Sequence, residues 1–208
     1  MPLAARRGVQ SYVRIVLVRH GHPGITPGER QPIAGTELGQ WYRRYNAAGL
    51  APASSPPDSL RDITRGTGCI VASDLLRAVE SARVLAGSNE IQLDPNLREV
   101  GFPEGLNASI RLSPGMWVMI ARAAWLLDRC DCDEPLRLAR RRAARLAARL
   151  DDLAYTHGSV VAVGHGWFNL FVGRELRRQQ WRGPWLVPHG YWASATFERE
   201  STAGRRLA

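Results

Sequence analysis

The sequence predicts a mixed α/β protein, a three-layer α/β/α sandwich on a mainly parallel sheet, in a chain of 208 residues whose length favours one domain. Two observations carry the prediction. Val13 to Val18, Cys69 to Ala72 and Ser159 to Gly164 are short apolar runs interrupted only by Arg14, as strands buried on both faces require. The second and third lead directly into stretches with helix start signals, and strands that alternate with helices build parallel crossovers.

The first run stops at Arg19-His20-Gly21-His22-Pro23, where Gly21 and Pro23 end the strand. It brings a cation and an imidazole to a carboxyl edge, where open α/β sheets bind their ligands. Arg19 offers a charged fork matched to phosphate oxygens, and neutral His20 can attack phosphorus or accept a proton. The alternative is a strand capped by solvated polar residues. Gly24 to Gly35 reads as a loop, Thr36 as the N-cap of a helix to about Ala48, and Ala51 to Pro57 as a second loop.

After the strand Cys69 to Ala72, Ser73 reads as an N-cap and Asp74 as a first-turn acid of a helix to about Ala86. Arg77, one turn in, either reaches back toward the sheet edge or pairs with Glu80 on the surface. Ile91 to Leu93 is a weak strand. The Gly- and Pro-rich loop after it carries Glu99, the candidate general acid, with Glu104 in reserve. Pro114 to Asp128 is helical, with Met116, Trp117, Ile120, Ala124 and Leu127 expected on the inward stripe. Leu136 to Tyr155 is the longest helix, with Ala139, Ala143, Leu146, Leu150 and Leu153 inward and Arg137, Arg140, Arg141, Arg145 and Arg149 in solvent.

Ser159 to Gly164 repeats the opening design: a buried strand ends in His165-Gly166, and a helix starts at Trp167. Two histidines and Arg77, each at a strand end, form a converging constellation. The turn Val187 to Tyr191 carries His189, either a pocket-rim contact or a surface residue, and Trp192 to Phe197 is the last strand.

The net charge of +9 is entirely arginine, since the chain has no lysine. With its many alanines and prolines, this reads as composition bias rather than a basic patch, so small anionic substrates rank above nucleic acid. Cys69, Cys130 and Cys132 are an odd set without a secretory signature, which points to reduced thiols and a cytoplasmic location. Cys130-Asp131-Cys132 lacks Cys-x-x-Cys spacing, and no metal site or membrane-spanning run is evident. No cofactor is expected, and nothing in the pattern speaks to oligomeric state.

Together these residues resemble the histidine phosphatase superfamily, branch 1, with its phosphoglycerate mutase-like fold. Leu17-Val18-Arg19-His20-Gly21 is similar to the family's Arg-His-Gly signature, Ser73 to Ala82 to its second-arginine helix, Leu97-Arg98-Glu99 to its acid loop, and Val163-Gly164-His165-Gly166 to its second histidine. The resemblance implies a family domain over residues 13–200 between tails at 1–12 and 201–208. It implies His20 as the phosphorylated nucleophile, Arg19, Arg77 and His165 around the phosphoryl group, and Glu99 as proton donor. Gly21, His22 and His189 are expected substrate contacts. His22 stands where the family's mutases carry Glu, and residues 24–30 lack their Trp-Asn pair, which favours a metal-independent phosphatase of a small or medium phosphorylated metabolite over a mutase. A phospholigand or nucleic-acid binding module is the non-enzymatic alternative.

Overall fold

The computed structural model describes residues 12–28, 30–103, 106–129 and 132–201. In chain order its elements are β1 (Tyr12–Arg19), β2 (Ile33–Ala34), α1 (Leu38–Ala47), α2 (Asp58–Thr64), β3 (Cys69–Ala72), α3 (Leu76–Ala86), β4 (Ile91–Leu93), β5 (Arg111–Leu112), α4 (Pro114–Leu126), α5 (Leu136–His157), β6 (Ser159–Gly164), α6 (Gly166–Arg178) and β7 (Ser194–Glu200). The main sheet runs β4-β3-β6-β1-β7. Its first four strands are parallel and β7 is antiparallel to β1, so the sheet is mainly parallel, flanked by helices as the sequence predicts.

Alternate side chains of the buried strands feed the two faces. Ile15, Leu17, Val71, Val160 and Ala162 pack under α5 and α6, while Val16, Val18, Ile70, Val161 and Val163 pack against α2 and α3. Each fully buried aliphatic chain contributes about 1.5–3 kcal/mol relative to exposure, which explains why β-branched residues fill both faces. A third cluster, around Leu38, Trp41, Tyr45, Trp117 and Ala121, joins α1 to α4. The small β2-β5 ribbon, Ile33 opposite Leu112, belongs to it.

Several local readings change. The turn before α1 is closed by Glu37, whose Oε2 accepts the Ala34 N–H at 2.6 Å, rather than by Thr36. Ser73 does not cap α3, which starts at Leu76 after an extended Leu75, so Arg77 is the second helical residue. Met116, Ile120 and Leu127 are exposed, and α4 turns Trp117, Ala121, Arg122 and Trp125 inward. Helix α4 is apolar nearly all round, so its period does not select a face; its aromatic side chains do, through the area they bury. On α5, Ala147 and Ala154 join the expected inward residues, and Leu153 is only partly buried. The last strand starts at Ser194. Trp192 precedes it at φ +59°, held by its N–H donating to the His20 carbonyl and its indole N–H to Ser54 Oγ. Cys69 is buried as a free thiol, and Cys132 is partly buried with its Sγ 3.5 Å from the Glu134 carbonyl; Cys130 and Asp131 lie outside the described residues.

Candidate active site

The candidate residues meet because three neighbouring strands, β3, β6 and β1, end at one level: Ala72 is level with Val163, and Arg19 with Gly164. His20 follows β1, His165 follows β6, and Arg77 lies on the helix after β3. Parallel register alone therefore brings together groups 57 and 88 residues apart in sequence from Arg77.

Arg77 is fully buried and bridges the histidines. Its Nε donates to His20 Nε2 at 3.2 Å and its Nη2 to His165 Nδ1 at 3.3 Å. Its remaining N–H groups go to neutral acceptors at the end of α1, the carbonyls of Tyr45 and Asn46 and the Asn46 Oδ1, under the face of the Tyr45 ring. Glu80 does not pair with it but accepts the Leu50 N–H at 2.6 Å. Among the described residues no carboxylate neutralises Arg77, and a desolvated cation without a counter-charge is costly unless an anion completes the site.

Both histidines are about 1% exposed, their rings 5.0 Å apart. Burial first, then the Arg77 charge, holds each well below the usual histidine pKa, with Arg19 adding to the effect, so both are neutral at pH 7. The hydrogen bonds assign the tautomers. His20 Nδ1–H donates to the Gly21 carbonyl at 2.8 Å, leaving the Nε2 lone pair toward Arg77. His165 accepts from Arg77 at Nδ1, so its Nε2–H donates to Ser73 Oγ at 3.0 Å. Ser73, expected as a helix cap, orients the second histidine instead.

Arg19 lies 4.2 Å from the Tyr191 ring centroid and donates through Nη1 to the His189 carbonyl, while its Nε is buried without a hydrogen bond. Tyr191 also contacts the rings of His20 and His22, and burial raises its phenol to about 12, keeping it a hydrogen-bond donor at neutral pH. His22 itself is exposed, its Nδ1 against the Pro23 carbonyl at 3.0 Å. His189 lines the cleft beside Trp167, as a rim residue would. Gly21 needs its missing side chain for a reason the sequence did not suggest: a Cβ there would lie 2.3 Å from the Trp192 indole. Its N–H donates to Ser81 Oγ at 2.8 Å.

Glu99 stands at the amino end of α6. Oε1 accepts from Phe168 N at 2.8 Å and Val100 N at 3.0 Å, and Oε2 from Trp167 N at 3.2 Å, so the helix end seats the carboxylate. Arg142 fixes its loop from below, donating to the Asn96 and Arg98 carbonyls and pairing with Glu134 at 2.6 Å. Glu104 lies outside the described residues.

A cleft of about 360 Å³ opens on Arg19, Tyr45, Glu99, Arg122, Trp167 and His189. Sequence reasoning missed Tyr45, Asn46, Tyr191 and Arg122 here. The first two close a helix whose end reads only as a stop signal, and Arg122 reads only as a break in an apolar run. Among the described residues no three His, Cys, Asp or Glu side chains group as metal ligands, and no helix is long and apolar enough to cross a membrane.

Two neutral histidines and two arginines without carboxylate partners among the described residues thus meet at the carboxyl edge of the parallel sheet of an α/β protein. The sequence model of the histidine phosphatase superfamily (branch 1) matches residues 15–205, so the chain belongs to that family. The fold is similar to a mycobacterial glucosyl-3-phosphoglycerate phosphatase, at 20% identity and a TM-score of 0.58 over 90% of both chains. It is similar to a phosphoserine phosphatase mutant from Entamoeba histolytica in complex with phosphoserine, at 15% identity and 0.55 over 91% of this chain and 95% of that one. An Escherichia coli protein described as a putative alpha-ribazole-5'-P phosphatase matches at 17% identity and 0.53 over 91% and 97%. At these identities the likeness is one of fold. None of the curated proteins compared with the chain matches it.

Proposed function

We propose that the protein is a metal-independent phosphomonoesterase that hydrolyses a small or medium phosphorylated metabolite through a phosphohistidine at His20. The observation that carries this reading is buried Arg77, set between two neutral histidines without a carboxylate counter-charge among the described residues. A phosphate dianion supplies that charge. Its oxygens take the N–H groups that Arg77 and Arg19 now give to His20 and the His189 carbonyl, which frees the His20 Nε2 lone pair.

His20 Nε2 then attacks phosphorus as the ester P–O bond breaks. Glu99, through Oε2, which accepts only one backbone N–H, protonates the departing oxygen. Water gives a proton to Glu99, attacks the phosphohistidine and releases inorganic phosphate, restoring His20 and Glu99. Arg19 and Arg77 stabilise the equatorial oxygens throughout, and the dianion beside His165 favours protonation of its Nδ1, which then donates to a further oxygen.

The test is hydrolysis of 4-nitrophenyl phosphate with EDTA present. Release of inorganic phosphate at an undiminished rate is expected; loss of turnover with rescue by a divalent ion would overturn the metal-free mechanism. Phosphoryl transfer to a second substrate without free phosphate would make the protein a mutase. In kcat/KM, which reports the steps up to the phosphoenzyme, Glu99→Gln is expected to slow alkyl phosphate esters by about 10²–10⁴-fold and 4-nitrophenyl phosphate, whose phenolate leaves without a proton, much less. Equal losses in kcat/KM on both esters would remove Glu99 from the acid role, and the same selective loss in Glu104→Gln alone would transfer it.

A further inference from the structure

Arg122 is 3% exposed, lines the cleft and has no carboxylate partner among the described residues. Only Nη1 is engaged, donating to the carbonyls of Val100 at 3.3 Å and Gly101 at 2.5 Å. Among the described residues Nε is buried without a partner and Nη2 makes no hydrogen bond. The guanidinium is held among Phe102, Trp125 and Trp167, whose ring centroids lie 5.1, 5.9 and 5.9 Å away. A clamp for the acid loop would need only Nη1. A desolvated guanidinium with free N–H groups facing a cleft is instead a preformed anion seat.

We propose that Arg122 determines substrate specificity by binding a second anionic group, a carboxylate or phosphate, on the leaving group of the ester. The body between the two anions is apolar or planar, because Trp41, Tyr42, Phe102, Met119 and Trp167 line the cleft that Arg19 and Arg122 share. The Tyr42 and Phe102 rings, stacked 4.0 Å apart, stiffen one wall. This rests on the phosphomonoesterase reading, since it places the leaving group in that cleft.

The test compares phenyl phosphate, the 3- and 4-carboxyphenyl phosphates and 1,4-phenylene bisphosphate as substrates. Native protein is expected to favour at least one charged ester by about tenfold or more in kcat/KM, as a charge-assisted hydrogen bond implies, and the preferred arm identifies the anion. Arg122→Met is expected to bring that ratio to near one, and Arg122→Lys to retain part of it. A ratio that survives Arg122→Met, or native kcat/KM values equal across all the esters, would overturn the assignment while leaving the phosphatase reading intact. Hydrolysis of none of them would overturn both. If Arg122→Met fails to fold by near-ultraviolet circular dichroism, Arg122→Lys decides: an unchanged ratio with its weaker, single-point donor rejects the fork.

Discussion

His20→Ala is expected to lower kcat by at least about 10⁴-fold and to remove the covalent phosphoenzyme, because His20 is the buried imidazole whose unprotonated Nε2 meets Arg77 at the end of β1. Rapid quenching of the native protein with labelled substrate should trap an acid-labile, base-stable adduct, the signature of a phosphoramidate. His165→Ala should weaken both turnover and adduct yet leave the label on His20. The tautomers separate the two histidines: His20 turns its lone pair toward Arg77 through Nε2, whereas His165 Nε2 is committed to Ser73 Oγ. Normal turnover in His20→Ala, or an adduct mapped elsewhere, would overturn the nucleophile assignment and most of the mechanism with it.

The sheet was legible because β1, β3 and β6 are nearly uninterrupted apolar runs, and a strand buried on both faces leaves the sequence few other options. The candidate site was legible for the same reason, since a polar residue just past such a run has only the strand's carboxyl edge to occupy. Legibility failed where contacts from distant segments decide. The α2 helix, seven residues without a side-chain cap, is set by Leu60 packing against the sheet rather than by its own signals. Ser73 has the chemistry of an N-cap, but His165, 92 residues away, takes its hydroxyl. Trp192 reads as a strand residue, yet Gly21 and Ser54 define its place. Arg122 looks like a charge breaking an apolar helix; only the fold of α4 over α1 turns it into the cleft.

Arg77→Met is expected to reduce kcat/KM by about 10³-fold, the loss associated with removing an arginine that stabilises transferring phosphoryl oxygens. Arg77→Lys should not rescue it, because one ammonium cannot span His20, His165 and the Asn46 side chain at once. Stability should change by less than about 1 kcal/mol in Arg77→Met: relief of an uncompensated buried cation offsets the hydrogen bonds lost to neutral acceptors. A fall of several kcal/mol in urea unfolding would instead make Arg77 a structural clamp. The pH profile gives an independent reading. Burial lowers the His20 pKa most and the Arg77 charge next, so removing that charge raises it toward 6.5. Protonated His20 cannot attack, and the acid limb of kcat/KM therefore moves to higher pH. Dividing the variant profile by the native one cancels the ester's own second ionisation and isolates the shift. An acid limb that stays in place, or moves to lower pH, would show that Arg77 does not act on the nucleophile through its charge.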